Sequence, residues 1–177
     1  GETGPDGSLF ESITHQRERS PLANKTKFCS FVVSNSTRAD PIREKFFHKL
    51  SKYKKVDSGG VLLNNIGGPV KSKLNFIKPY KFNIAFEPVK ASGYTTEKLV
   101  EAMHANTLPI YWGSPDVTQE FNEKSFIILN NENEIDKVIE QIIELDQNDD
   151  MYTKMMRQPW LEPEKNPLPS DEKLLDF

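Results

Sequence analysis

The apolar positions of this chain change period along its length, and the changes mark out its elements. KFCSFVVS (27–34) is a nearly continuous apolar run, the pattern of a strand buried on both faces of a parallel sheet. Beyond it Ile42, Phe46, Phe47 and Leu50 recur at helical spacing. Asp40 and Pro41 stand ahead of them as cap and first helical residue, which predicts a helix reaching Tyr53. KKVDSGG reads as a short strand running into a glycine turn, VLLNNIGGPV as a loop, and Lys71–Ile77 as a short helix. A strand–helix–strand unit follows, and the rest of the chain appends to it. KFNIAFE (81–87) is rich in strand formers, PVKASGY is a loop, and Thr95 caps a helix that turns Leu99, Ala102 and Met103 inward. LPIYWG (108–113) returns as a strand, and SFIILN (125–130) is another. Asn131 and Glu134 have the spacing of a capping box, ahead of a stripe made by Ile135, Val138, Ile139, Ile142 and Ile143. A last helix is predicted over 150–157.

This alternation predicts an α/β fold, a doubly wound parallel sheet of five or six strands with right-handed crossovers. The expected organisation is a linker over 1–26 with one short helix near Leu9–His15, a domain over 27–158, and an extension over 159–177. Pro159, Pro163, Pro167 and Pro169 make that extension read as a wrapping tail rather than a packed element.

Composition narrows the function classes. The 177 residues carry a net charge of −3, so there is no general electrostatic attraction to nucleic acid and none is expected as a partner. No apolar run is long enough for a transmembrane segment, and the first residues do not resemble a signal peptide. Cys29 is the single cysteine, which excludes an internal disulfide and favours a reducing compartment; its setting in FCSFVV makes it a buried strand residue. No G-x-G-x-x-G and no P-loop follow the first strand, which argues against a dinucleotide or P-loop nucleotide site. Glu101 and His104 lack the further His or Cys that a zinc site needs. Asn24-Lys25-Thr26 and Asn35-Ser36-Thr37 fit the glycosylation triplet by chance, since a glycan on Asn35 would obstruct the sheet edge where a ligand is expected.

In such sheets ligands gather outside the carboxyl ends of the strands. Ser34 and Asn35 end the first strand there. Counting from the caps, Arg43 and Lys98 each fall at the third position of a helix that follows a buried strand. A cation there faces the positive end of the helix dipole, at a cost of about 0.3–1 kcal/mol when exposed. Two such cations on one edge suggest an anion shared between them, and a diphosphate fits both the Arg fork and the Lys point charge. The alternative is a pair of solvated side chains. Glu97 is either a carboxylate favoured by the helix start or an acceptor for sugar hydroxyls; Tyr94 either stacks on a ligand or covers the helix start.

KFCSFVVSN, R-x-x-FF (43–47), VDSGG, NNIGG, YKFNIAFE, GYTTEK, LPIYWGSP and F-x-x-KSFI together resemble the α-1,3-fucosyltransferases of glycosyltransferase family 10, the bacterial members above all. The likeness is dense from Lys27 to Asn130. It implies the Rossmann-like, donor-binding half of a GT-B glycosyltransferase, an enzyme that moves fucose with inversion from GDP-fucose to a hydroxyl of an acceptor glycan. By that resemblance Arg43 and Lys98 hold the diphosphate, while Tyr94 and Glu97 contact the ribose or sugar, beside Ser34 and Asn35. No obligatory cofactor is implied, with a divalent metal at most stimulatory. The setting implied is protein glycosylation or lipopolysaccharide synthesis, in the cytoplasm or at the periphery of the inner membrane. Three departures stand out. Thr95 replaces a valine, Pro88 replaces an asparagine that contacts the donor, and the N-terminal acceptor domain with its general base has no counterpart in these 177 residues. A binding or structural domain without chemistry of its own is the competing expectation.

Overall fold

A computed structural model describes residues 21–34, 40–92 and 97–162. Five strands form one parallel sheet: β1 (Lys27–Phe31), β2 (Val56–Ser58), β3 (Tyr80–Phe86), β4 (Leu108–Trp112) and β5 (Ile127–Ile128). Their order is β2-β1-β3-β4-β5, and every neighbouring pair is parallel. The helices are α1 (Ile42–Ser51), α2 (Lys73–Ile77), α3 (Glu97–His104), α4 (Ile135–Gln147) and α5 (Asp149–Met156). The doubly wound α/β expectation is met with five strands. β3 lies at the centre with β1 and β4 beside it, and β3 and β4 are buried nearly throughout, because helices cover both faces and leave no solvated side for alternation to mark.

The chain moves one way from β1 to β2 and the other way from β3 to β4. Right-handed crossovers in opposite directions place α1 and α3 on opposite faces. On the α1 face Phe46 lies against Phe86 (centroids 5.0 Å apart) and Tyr152 of α5 against Phe82 (5.5 Å). Lys49 pairs with Asp136 at 2.9 Å, tying α1 to α4. On the other side Lys73 and Glu101 join α2 to α3 at 3.3 Å. Cys29 is fully buried in the strand, as its apolar setting predicts.

Polar chemistry at the strands' amino ends is structural. Asp146, nearly buried, accepts from Tyr53 Oη (2.6 Å), Lys54 Nζ (2.7 Å) and Lys81 Nζ (2.9 Å). Burial works to raise its carboxyl, but hydrogen bonds from Lys54, Tyr53 and Lys81 outweigh that and hold it below the usual range.

Several boundaries differ from the sequence expectation. Pro41 occupies the cap position of α1, and Asp40 acts one residue earlier, its Oδ1 accepting from Ile42 N–H at 2.9 Å. The helix expected from Lys71 starts at Lys73, because the Ser72 hydroxyl accepts from Asn75 N–H and so sets the cap. Of SFIILN the strand covers Ile127 and Ile128, since β5 has β4 on one side and, among the described residues, no strand on the other; a 3-10 turn (Glu123–Ser125) precedes it. Asn131 Oδ1 accepts from Asn133 N–H (3.0 Å), which makes a 3-10 turn before α4. Leu145 rather than Ile143 completes the buried stripe of α4. The proline-rich tail also begins packed. Trp160 is 1% exposed, its carbonyl accepts from Asn122 N–H (2.8 Å), and Leu161 bridges Phe121. The helix expected near Leu9–His15 and the tail beyond 162 lie outside the described residues.

Candidate functional site

Strand order 2-1-3-4-5 reverses direction between β1 and β3, and at such a switch point the loops after the two strands diverge to opposite faces and leave a crevice. One backbone hydrogen bond, Asp40 N–H to the Pro88 carbonyl at 2.8 Å, joins the residue just before α1 to the loop after β3. Two glycines make room nearby. A Cβ on Gly60 would stand 2.3 Å from the Val33 carbonyl oxygen, where β2's loop folds over the end of β1. A Cβ on Gly113, after β4, would stand 2.3 Å from Glu87 Cγ.

Arg43 and Lys98 stand on the first turns of α1 and α3, the helices that follow β1 and β3. They are not the solvated cations that the helix-start spacing allows. Arg43 is only 2% exposed and Lys98 is half-buried. Burial pushes the Lys98 ammonium below its usual value; Lys73 and Arg43 push the same way, while Glu87 and Glu101 oppose them. Lys73 and Arg43 thus both add positive charge around Lys98, with Lys73 also paired to Glu101, a setting in which an anion beside Lys98 is favoured. Glu97 opens α3 and is exposed, and Ser34 is exposed beyond β1. Asn35 and Tyr94 lie outside the described residues.

Three residues of the site escaped the sequence reading. Glu87 directly follows β3 and is 2% exposed; burial, against Lys98, a hydrogen bond from Tyr111 and Lys73, pushes its carboxyl up to about 7. Tyr111 Oη donates to Glu87 Oε2 (3.3 Å) and accepts from Ser114 N–H (2.9 Å). Lys73 arrives from α2. Only Glu87 had a legible signal, an acidic residue directly after the apolar carboxyl-terminal half of the central strand. Beyond Gly113 a cavity of about 230 Å³ opens at the ends of β4 and β5, with Ser114, Thr118, Glu123 and Asn130 in its wall. Among the described residues no group of three His, Cys, Asp or Glu side chains is placed to hold a metal ion.

Residues 22–166 match the family description "Glycosyltransferase family 10 (fucosyltransferase) C-term". The chain belongs to glycosyltransferase family 10. This family 10 chain is 40% identical to the alpha-(1,3)-fucosyltransferase FucT of Helicobacter pylori over 139 residues, 78% of this chain and 28% of that protein. It is 32% identical to alpha-(1,3)-fucosyltransferase B of Drosophila melanogaster over 146 residues, 75% of this chain and 32% of that one. The fold superimposes on the crystal structure of an alpha1,3-fucosyltransferase with GDP-fucose at a TM-score of 0.73 and 35% identity. With GDP the score is 0.75, and each superposition covers 96% of this chain and 50% of the other. The family 10 chain thus spans half of those solved structures and about a third or less of the curated relatives. Among the described residues no helix is long and apolar enough to cross a membrane.

Proposed function

We propose that this family 10 domain binds the donor of a fucosyltransferase, GDP-fucose, in the crevice between β1 and β3. The observation that carries the reading is the pair Arg43 and Lys98, brought from two helix starts to the two sides of one switch point. Crystal structures of relatives with GDP-fucose and with GDP support the choice of ligand. The diphosphate would lie against the first turns of α1 and α3, with the Arg43 fork and the Lys98 point charge on its oxygens. Glu97, exposed at the start of α3, would take a pair of sugar or ribose hydroxyls, and by the family resemblance Ser34, Asn35 and Tyr94 would contact the donor as well.

In the reaction an acceptor hydroxyl attacks the anomeric carbon of fucose from the face opposite the diphosphate. The new C–O bond forms as the bond to the β-phosphate oxygen breaks, its electron pair leaves on GDP, and configuration inverts. The hydroxyl proton goes to a base contributed from outside the described residues. Positive charge from Arg43 and Lys98 stabilises the negative charge that grows on the departing phosphate, an interaction stronger in the transition state than in the bound donor.

The isolated chain is expected to bind GDP in a calorimetric titration that shows no comparable binding of UDP or NAD. Incubated with GDP-fucose and a panel of glucose- and N-acetylglucosamine-containing acceptors, it is expected to form no product. Robust product would place the base within these 177 residues, and equal binding of all three nucleotides would remove the donor reading.

Pro88 supplies a second test of the same crevice. Its carbonyl anchors the loop after β3 to Asp40 N–H, a contact that any residue at 88 can make. Its side chain, though, offers a donor nothing, where the resembling enzymes carry asparagine. Pro88→Asn is expected to add one neutral hydrogen bond of about 0.5–1.5 kcal/mol, roughly two- to twelvefold in GDP affinity. Loss of the proline should lower stability by about 0.4–1 kcal/mol through the unfolded chain. Affinity and melting temperature measured on one preparation check both; unchanged or weaker binding would mean the loop takes a different path from its relatives.

A further inference from the structure

We infer that Glu87 is a positioning residue of the diphosphate cradle, a buried carboxyl that takes up a proton when an anionic donor settles over Lys98. This rests on the donor-site reading above, and its test is arranged so that the two can fail separately.

The placement is built rather than incidental. Glu87 stands at the carboxyl end of β3, at the switch point, and is 2% exposed. Its side chain fills the space that Gly113 leaves open, where a Cβ would come within 2.3 Å of Cγ. Through Tyr111 it is tied to the backbone of Ser114, so one carboxyl connects the end of β3 with the turn after β4. The charged and titratable groups that face it come from three elements: Lys98 and Glu97 from α3, Lys73 from α2 and Tyr111 from β4. Arg43, on α1, acts on Lys98 in turn.

In the free protein, burial disfavours the carboxylate while Lys98, Tyr111 and Lys73 favour it, and the balance near 7 leaves the group divided between its two forms at neutral pH. An ionised Glu87 attracts Lys98 toward itself and repels an incoming phosphate. A diphosphate over Lys98 cancels the cationic field that held the carboxylate and adds like charge beside it. The carboxylate then accepts a proton from solvent on one of its oxygens, and Lys98 is released to the phosphate. Binding and protonation therefore favour each other, and donor affinity must fall as pH rises through the value of the free carboxyl.

GDP-fucose is the suitable probe, because its diphosphate is esterified at both ends and holds a fixed charge through neutral pH. If the donor raises Glu87 by one unit, affinity for GDP-fucose should fall roughly sevenfold from about pH 6 to about pH 8.5. Calorimetry near neutral pH, in two buffers of different ionisation enthalpy, should show about 0.4 proton taken up per donor bound. Glu87→Gln is expected to abolish both the slope and the uptake in this range, and to bind more tightly than the wild type at the alkaline end. A contribution from Lys98 would survive in Glu87→Gln, so an unchanged slope there overturns the assignment, as does a uniform loss of affinity at every pH. Tyr111→Phe removes a hydrogen bond to the ionised form, and its pH midpoint should move upward; an unmoved midpoint in a folded variant also overturns the assignment. Wild-type binding with no pH dependence would reject the role of Glu87 and leave the donor site standing. Absence of GDP-fucose binding at every pH would reject the donor site itself, and Glu87's role with it.

Discussion

Lys98→Ala and Arg43→Ala are each expected to weaken GDP binding by about 1.5–3 kcal/mol, on the order of ten- to 150-fold, the range for hydrogen bonds to charged groups. GMP, with one phosphate fewer, should lose less in both variants. The two differ in what they do to the fold. Arg43 is among the largest fully buried side chains, so cutting it to alanine leaves a cavity and should lower the melting temperature. Lys98 behaves in the opposite way. Its ammonium is held below the usual value, chiefly by burial, so between the folded and unfolded values the unfolded chain binds more protons and stability rises with pH. Removing that charge is expected to leave the free protein as stable at neutral pH, or more so. Titration of GDP and GMP with both variants, beside thermal melts, checks the pair. Wild-type GDP affinity in either one would return that residue to a purely structural role.

Asp146→Ala is expected to cost about 3–5 kcal/mol of folding stability, the range for breaking a buried ion pair and leaving its partner behind. The large share comes from Lys81, 13% exposed and 2.9 Å from the carboxylate; Lys54, more than half exposed, adds little. Lys81 Nζ also donates to the Asp146 carbonyl (3.0 Å), and Tyr152 Oη to the Lys81 carbonyl (2.6 Å), so the loss should spread to the packing of α5 on β3. The pH dependence has a definite sign. The folded carboxyl lies below its unfolded value, so its stabilisation is complete above the unfolded value and is lost as pH falls through the folded one. Urea unfolding at neutral and at acid pH should therefore show wild type and variant converging as the acid is approached. A loss under about 1 kcal/mol at neutral pH would assign Lys81 to solvent rather than to this pair. GDP binding in the folded variant should be nearly unchanged, since Asp146 sits at the amino end of the sheet and the crevice at the carboxyl end.

Much of the fold was legible because burial on both faces writes continuous apolar runs. KFCSFVVS, KFNIAFE and LPIYWG each contain a parallel strand, over Lys27–Phe31, Tyr80–Phe86 and Leu108–Trp112, and Leu99, Ala102 and Met103 lie on the buried face of α3. The least legible elements were those whose neighbours decide them. SFIILN has the composition of a strand, yet the strand covers only two residues, since hydrogen bonding needs a partner that composition does not report. Trp160 and Leu161 sit among prolines that read as a tail, and they are buried because Phe121 and Asn122, about forty residues earlier, happen to face them. Arg43 and Lys98 could be named from helix-start spacing, but that spacing describes two separate helices and allowed a solvated pair.

What the sequence by itself determined is thus local: periodicity, caps, turn glycines and the positions of two cations near helix starts. Strand order was decided only in three dimensions. It sets β1 beside β3, opens the crevice between their loops, and buries Arg43. The same order brings Lys98, Tyr111 and Lys73 from three elements around Glu87, which no spacing along the chain encodes. The physical reason is one of range. Helix and strand preferences act over a few residues, whereas a carboxyl's proton affinity depends on every charge and every missing water molecule around it, whatever their distance along the chain.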